Sequence, residues 1–140
     1  MTTRQVSVLV ADDALYNLTG KLFLQGVYVT EIIIPSDPAN VPQLVFMFLI
    51  ETDITDPFKS LTLQVTLPGE SPVNSFIPIL PGASQILPPG RTKIHYRWPL
   101  IVQMPVLRQG KIDAKIIHES GELGANAPWI VLASRPPATH

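Results

Sequence analysis

No cysteine occurs in the 140 residues. Disulfide frameworks, thiolate zinc sites and cysteine nucleophiles are therefore excluded. Charge is scarce as well: 15% of residues are Asp, Glu, Lys or Arg, against about 25% in an ordinary soluble domain. The ten basic residues are scattered and the net charge is −1, so the dense basic footprint of a nucleic-acid binder is missing. Long apolar runs are also missing. The longest, Leu44 to Ile50, has seven residues, far short of the ~20 of a membrane span. Neither nucleic acid nor membrane is an expected partner. Proline is the opposite case, with 15 residues, roughly twice the usual share of about 5%. That leaves little room for long helices.

What is present is alternation. The hydrophobic fraction is 46%, enough for one buried core in a chain of single-domain length. Leu61, Leu63, Val65 and Leu67 alternate with Thr62, Gln64 and Thr66, the mark of a strand with one buried and one wet face. Ile112, Ala114 and Ile116 alternate with Lys111, Asp113 and Lys115 in the same way. Val6, Val8 and Val10 share a face in a first strand. Lys21 to Val29 reads as a second, slipping phase near Gly26, where a bulge is the usual cause. Leu100 to Met104, fenced by Pro99 and Pro105, reads as an edge strand or a bulge, and Trp129 to Ala133 as the last strand. Asp12 to Leu18 is the one stretch read as a helical turn, with Asp12 or Asp13 as its N-cap. Pro68 to Arg91 is the longest irregular stretch, with a short extended piece near Phe76–Leu80, and 135–140 reads as a frayed tail. The expected fold is a single antiparallel β-sandwich of seven to nine strands over residues 1–140, with little helix.

One strand breaks the pattern. Leu44-Val45-Phe46-Met47-Phe48-Leu49-Ile50 is apolar on both faces, whereas a strand in a two-layer fold meets the core on one face only. Its second face needs a cover: the Pro68–Arg91 loop, a ligand, or a partner subunit, commonly a second copy of the chain. Val45, Phe46, Met47, Phe48 and Leu49 are thus the candidate interface residues.

Reactive constellations are absent from the sequence. His95, His118 and His140 are widely spaced and form no metal-ligand pair. Glu51, Asp53 and Asp56 form the densest acidic cluster. A solvated turn with Lys59 close enough to pair outweighs a calcium site, since the EF-hand spacing is lacking. No Gly-x-Ser-x-Gly elbow surrounds any serine, Ser84 included, and no phosphate-loop pattern is found. His95-Tyr96-Arg97-Trp98 mixes cationic and aromatic groups that can stack on a sugar or a base. Alternation puts His95 and Arg97 on one face and Tyr96 and Trp98 on the other. No catalytic residue, metal or cofactor is expected. The start of the chain reads as a first strand rather than an export signal, because the apolar stretch Val6 to Ala11 is short and contains Ser7. A cytoplasmic location is expected on that basis.

Ala11-Asp12-Asp13-Ala14 followed by Gly20-Lys21-Leu22-Phe23-Leu24-Gln25-Gly26-Val27-Tyr28 resembles a bacterial family of small all-β domain proteins of unknown function. Pro42-Gln43-Leu44 and the Gly110–Ile116 segment resemble the layout of the same family. The likeness is specific over residues 6–29 and looser elsewhere. It implies a β-sandwich in a bacterial cytoplasm and transfers no catalytic residue. The functional expectation is a non-catalytic structural or protein-interaction module that self-assembles. The alternative is a small-ligand or carbohydrate-binding module using end loops with Tyr96 and Trp98, and an enzyme ranks third.

Overall fold

The computed structural model describes residues 3–79 and 90–134. Among the described residues it is all-β, with fourteen strands in five sheets. A three-stranded antiparallel sheet has the order β1 (Gln5–Ala11), β6 (Gln43–Asp53), β9 (Lys93–Gln103). A four-stranded antiparallel sheet has the order β13 (Gly121–Ala125), β12 (Asp113–His118), β7 (Leu61–Thr66), β8 (Val73–Ile77). A third sheet orders β11 (Gly110–Lys111), β14 (Trp129–Leu132), β4 (Glu31–Ile34), and its β14–β4 pair is parallel. Two small ribbons complete the set, β2 (Asp13–Tyr16) with β3 (Leu22–Gln25), and β5 (Ala39–Asn40) with β10 (Val106–Leu107). The count exceeds the expected seven to nine because Pro and Gly cut the ladders short. β5, β10 and β11 have two residues each.

The period-two segments form the core. Leu61, Leu63, Val65 and Leu67 are buried while Thr62, Gln64 and Thr66 are half-buried. Ile112, Ala114 and Ile116 are likewise buried. They join Val8, Val10, Leu44, Phe46, Phe48 and Ile50 from the three-stranded sheet, and Ile32, Ile34 and Ile130 from the parallel pair, in one apolar cluster. β1 runs beside β13, and β9 beside β8.

Residues 12–18 correct the expected helical turn. Asp13–Tyr16 is a strand, paired Leu15 to Phe23 and Tyr16 to Leu22. Four residues cannot close a stable helix, whereas a hairpin gives their main-chain groups partners at once. The turn is built by Asn17, whose Oδ1 accepts from Thr19 N at 3.0 Å, Thr19 Oγ1 at 2.7 Å and Lys21 N at 2.8 Å. Gly20 follows with φ +80°. Asp12 is no helix cap either. Its backbone N–H donates to Gln25 O at 2.9 Å, and its carboxylate accepts from the Tyr28 hydroxyl at 2.5 Å. Burial, then the hydrogen bond and negative charge of Asp12, push the Tyr28 hydroxyl up to about 12. Gly26 stands where a Cβ would collide with the Asp12 carboxylate, and its φ is +67°. The expected phase slip at Gly26 is therefore a left-handed residue that ends β3 and lets Tyr28 N bond Val10 O at 2.8 Å.

Pro99 does not fence a strand but lies inside β9, opposite Met47. β9 is the terminal strand of its sheet, and a residue without an N–H is tolerated at such an edge. The chain leaves β9 at Met104, which has φ +49° and donates its N–H to Pro42 O at 2.9 Å. Of the Pro68–Arg91 stretch, Val73–Ile77 forms β8. Its remainder at 80–89, with Ser84, and the tail at 135–140 with His140 lie outside the described residues.

Candidate binding surfaces

The five residues expected to face a partner are mostly enclosed by the chain itself. Val45, Phe46 and Phe48 are 0% exposed and Met47 is 1% exposed, and Leu49 is half-buried. Phe46 and Phe48 belong to the main core. Val45 and Met47 lie on the opposite flank, Val45 between Ala11 and Ile101 and Met47 between Leu9 and Pro99. β2 also runs beside β6. There Gln43 Nε2 donates to Asp13 Oδ1 at 2.9 Å and to Asp12 O at 3.2 Å. The second flank of the central strand is thus roofed within one chain, and the expectation of an open contact surface at Val45–Phe48 is corrected. Exposure falls instead on the flanking strands, where Leu9 is 41% and Ile101 46% exposed.

The His95–Trp98 tetrad divides by face. Register places His95 in a row with Glu51 and Gln5, and Arg97 in a row with Leu49 and Ser7. These six residues, together with Val6, Ile50 and Tyr96 between them, line a shallow concavity of about 160 Å³ on the three-stranded sheet. Arg97 forms no salt bridge among the described residues, and neither does Glu51. Tyr96 shares the inward parity of Ile50 and packs edge-on against Phe58, with centroids 5.7 Å apart. Burial raises the Tyr96 hydroxyl above its usual range, with Arg4 opposing and Glu119 adding to the shift. Trp98 pairs with Phe48. Tyr96 and Trp98 therefore do not stand beside His95 and Arg97 as one stacking platform.

The acidic cluster is dispersed by cations. Asp53 is paired with Lys93 and also accepts from Thr3 N at 3.4 Å. The Lys93 hydrogen bond, against some opposing burial, holds its carboxyl below the usual range. Asp56 is paired with Arg4, not with Lys59. Among the described residues no three His, Cys, Asp or Glu side chains are placed to hold a metal ion.

Arg4 is the hub that the sequence reading missed. Its side chain is 11% exposed, and its guanidinium lies 4.3 Å from the centroid of the Phe58 ring. Nη2 donates to Glu119 Oε1 at 2.7 Å and Asp56 Oδ1 at 3.2 Å, and Nη1 lies 3.0 Å from His118 Nδ1. Nε sits 3.0 Å from Asp56 Oδ2 but off the line of a hydrogen bond, so that contact is ionic. Ser120 N also donates to His118 Nδ1, at 3.1 Å. With two donors aimed at it, Nδ1 stands as the acceptor in both contacts. The partners of Arg4 stand 52 and 115 residues away, and no local pattern announces them.

Glu119 makes this hub sensitive to acid. Burial opposes its ionisation, but Arg4, its own backbone N–H and the backbone N–H groups of Lys59 and Ser60 outweigh that and hold its carboxyl at about 2, down from 4.5. A depressed carboxyl contributes stability that is complete above the unfolded value and lost as pH falls towards the folded one. Chemical denaturation followed from pH 6 to 2 is expected to show stability falling below about pH 4.5. Glu119→Gln is expected to be less stable at pH 6 and to show a shallower fall.

The third sheet exposes two large apolar side chains on one face; Val29, Phe76 and Met104 are more exposed, at 88%, 77% and 69%, but stand singly outside it. Ile33 is 63% and Trp129 56% exposed, on adjacent strands of the parallel pair. The Ile32-Ile33-Ile34 run was the available signal; it lies beyond the expected second strand, Lys21 to Val29, and forms β4. No family model, no curated protein and no solved structure matches the chain.

Proposed function

We propose that this chain is a non-catalytic β-sandwich module of the small all-β type it resembles, and that it works through protein contacts, self-association first among them. The approach of β1 to β13 and of β9 to β8 supports reading the two larger sheets as the layers of one sandwich. The observation that carries the functional reading is the more than half-exposed pair Ile33 and Trp129. Large apolar side chains clustered at a surface mark interaction sites far more often than scattered ones do, and tryptophan is prominent among interface anchors. Light scattering after size exclusion tests it. The expected mass exceeds that of one chain and rises with concentration, and Trp129→Ser lowers it without changing the circular dichroism. A single-chain mass at every concentration overturns self-association.

A second reading has its own observation, the concavity between Arg97, Glu51 and His95. A guanidinium with no salt bridge among the described residues, beside a carboxylate and an imidazole, suits a small ligand carrying one anionic group and one hydroxyl or amine. A thermal-shift series with hydroxy acids, sugar acids and amino acids tests it. The expected result is a rise in melting temperature that Arg97→Ala abolishes, and no rise with any of them removes this reading.

A further inference from the structure

We propose that the outer edge of β4 is the contact at which a second copy of this chain pairs, β4 against β4, antiparallel about a two-fold axis. The proposal rests on the self-association reading and gives it a place.

β4 is the terminal strand of its sheet. Ala133 N donates to Ile34 O at 2.8 Å, which fixes the direction of every main-chain group in the strand. A strand residue sends its N–H and C=O to the same side, and successive residues alternate. Ile32 and Ile34 therefore address β14, while Glu31 and Ile33 address the open side. No main-chain partner for Glu31 or Ile33 is found on that side among the described residues. Such a row of free donors and acceptors is a template for another strand, and proteins normally blunt it with lysine, proline, a bulge or a cover. The edge of β9 is blunted in this way by Lys93, Arg97 and Pro99. β13 carries glycines and a Lys115–Glu122 pair along its ladder. Among the described residues β4 has none of these between Glu31 and Pro35, and its outward residue Ile33 is 63% exposed.

Charge and symmetry favour a second copy as the occupant. A two-fold centred on Ile33 sets each Ile33 N–H against the other Ile33 C=O. The strand's single charge, Glu31, then lies about 13 Å from its symmetry mate, at ~3.4 Å per residue, beyond the ~8 Å screening length of physiological salt. No like charges meet. Trp129 and Val131 flank Ile33 on its own face, so the pairing joins two apolar strips into one band across a six-stranded sheet. Using both copies' edges at once closes the assembly, where a head-to-tail addition would leave an edge open and run on into filaments. Pro35 has no N–H and ends the ladder, which keeps the contact short and reversible.

The test uses the direction of the Ile33 N–H. Because it takes no part in the chain's own ladder, Ile33→Pro removes a donor that only a partner needs. Light scattering over about 5–500 µM is expected to show a monomer–dimer equilibrium for the unaltered chain, weakened at least tenfold by Ile33→Pro, with the melting temperature nearly unchanged. Ile33→Lys, which keeps the N–H and adds charge, is the second variant should the proline one fail to fold, and it is expected to weaken the dimer equally. Hydrogen exchange at the Ile33 amide is expected to slow as concentration rises. A dimer that persists undiminished in a folded Ile33→Lys chain, with fast Ile33 exchange, overturns the β4 edge and leaves self-association standing. A monomer throughout overturns both. Slow Ile33 exchange in a purely monomeric sample overturns the second copy as occupant.

Discussion

Met47→Asp is expected to unfold the monomer, not to separate an assembly. Met47 is 1% exposed on the flank of β6 that faces away from the main core, and it is enclosed by residues of its own chain. An unpaired carboxylate at such a place costs several kcal/mol even after relaxation. That is comparable to the whole stability of an ordinary domain, about 5–15 kcal/mol. Far-ultraviolet circular dichroism and urea unfolding check it: the variant is expected to lack a cooperative transition or to show one displaced to very low urea. Leu9→Asp is the matched control. Leu9 lies opposite Met47 on the same flank, yet is 41% exposed, so its carboxylate stays hydrated and the expected loss is no more than about 1 kcal/mol. Two aspartates in neighbouring strands thus separate burial from mere membership of an apolar flank. A folded, stable Met47→Asp chain would show that the roof over β6 opens at little cost.

Replacing Arg4 with Met is expected to cost about 2–4 kcal/mol, between the value of an exposed ion pair and that of a fully buried one. Methionine keeps much of the stem that lies against Phe58, so the loss reports the guanidinium. Without it, Glu119 and Asp56 face each other across the N-terminal strand with only backbone donors and solvent to compensate, and His118 loses one of its two donors. The effect is expected to shrink when Glu119 is already Gln, and a double-mutant cycle measures the difference, with a coupling of about 1–2 kcal/mol. Additive losses would mean that the two side chains act independently. Salt adds a further check. The pair is partly shielded from solvent, so the coupling is expected to survive 0.5 M NaCl better than that of the exposed Lys115–Glu122 pair.

What the sequence disclosed follows from how local each determinant is. Leu61–Leu67 and Ile112–Ile116 were legible because a strand with one wet face writes its orientation into every second residue. The tetrad at His95–Trp98 was legible for the same reason, as register places His95 and Arg97 together and sends Tyr96 towards Phe58. Residues 12–18 were misread because four apolar and polar residues in a row satisfy a helical turn and a strand equally well. The choice was made by Leu22–Gln25 and by the Asn17 side chain. The doubly apolar β6 was visible as an anomaly, but its cover was not, since the cover is assembled from β1, β9 and the hairpin, which no window on the chain contains. Arg4 was invisible for a related reason. Nothing near it marks it as other than a surface residue, and its importance is conferred by loops that arrive from the middle and the far end of the chain.

The placement of β6 also governs how the protein can be made. Its two ladder neighbours are β1, already synthesised, and β9, which begins forty residues after β6 ends. During translation the stretch Leu44–Ile50 leaves the ribosome with one long side unclaimed and waits there for Lys93–Gln103 to appear. At ~5–20 residues per second that interval lasts a few seconds, during which a naked, greasy ribbon is offered to every neighbouring nascent chain. Pairings so distant in the chain also fold slowly. Yield in a cell is therefore expected to be set by the chaperones that shield this ribbon more than by the stability of the finished molecule.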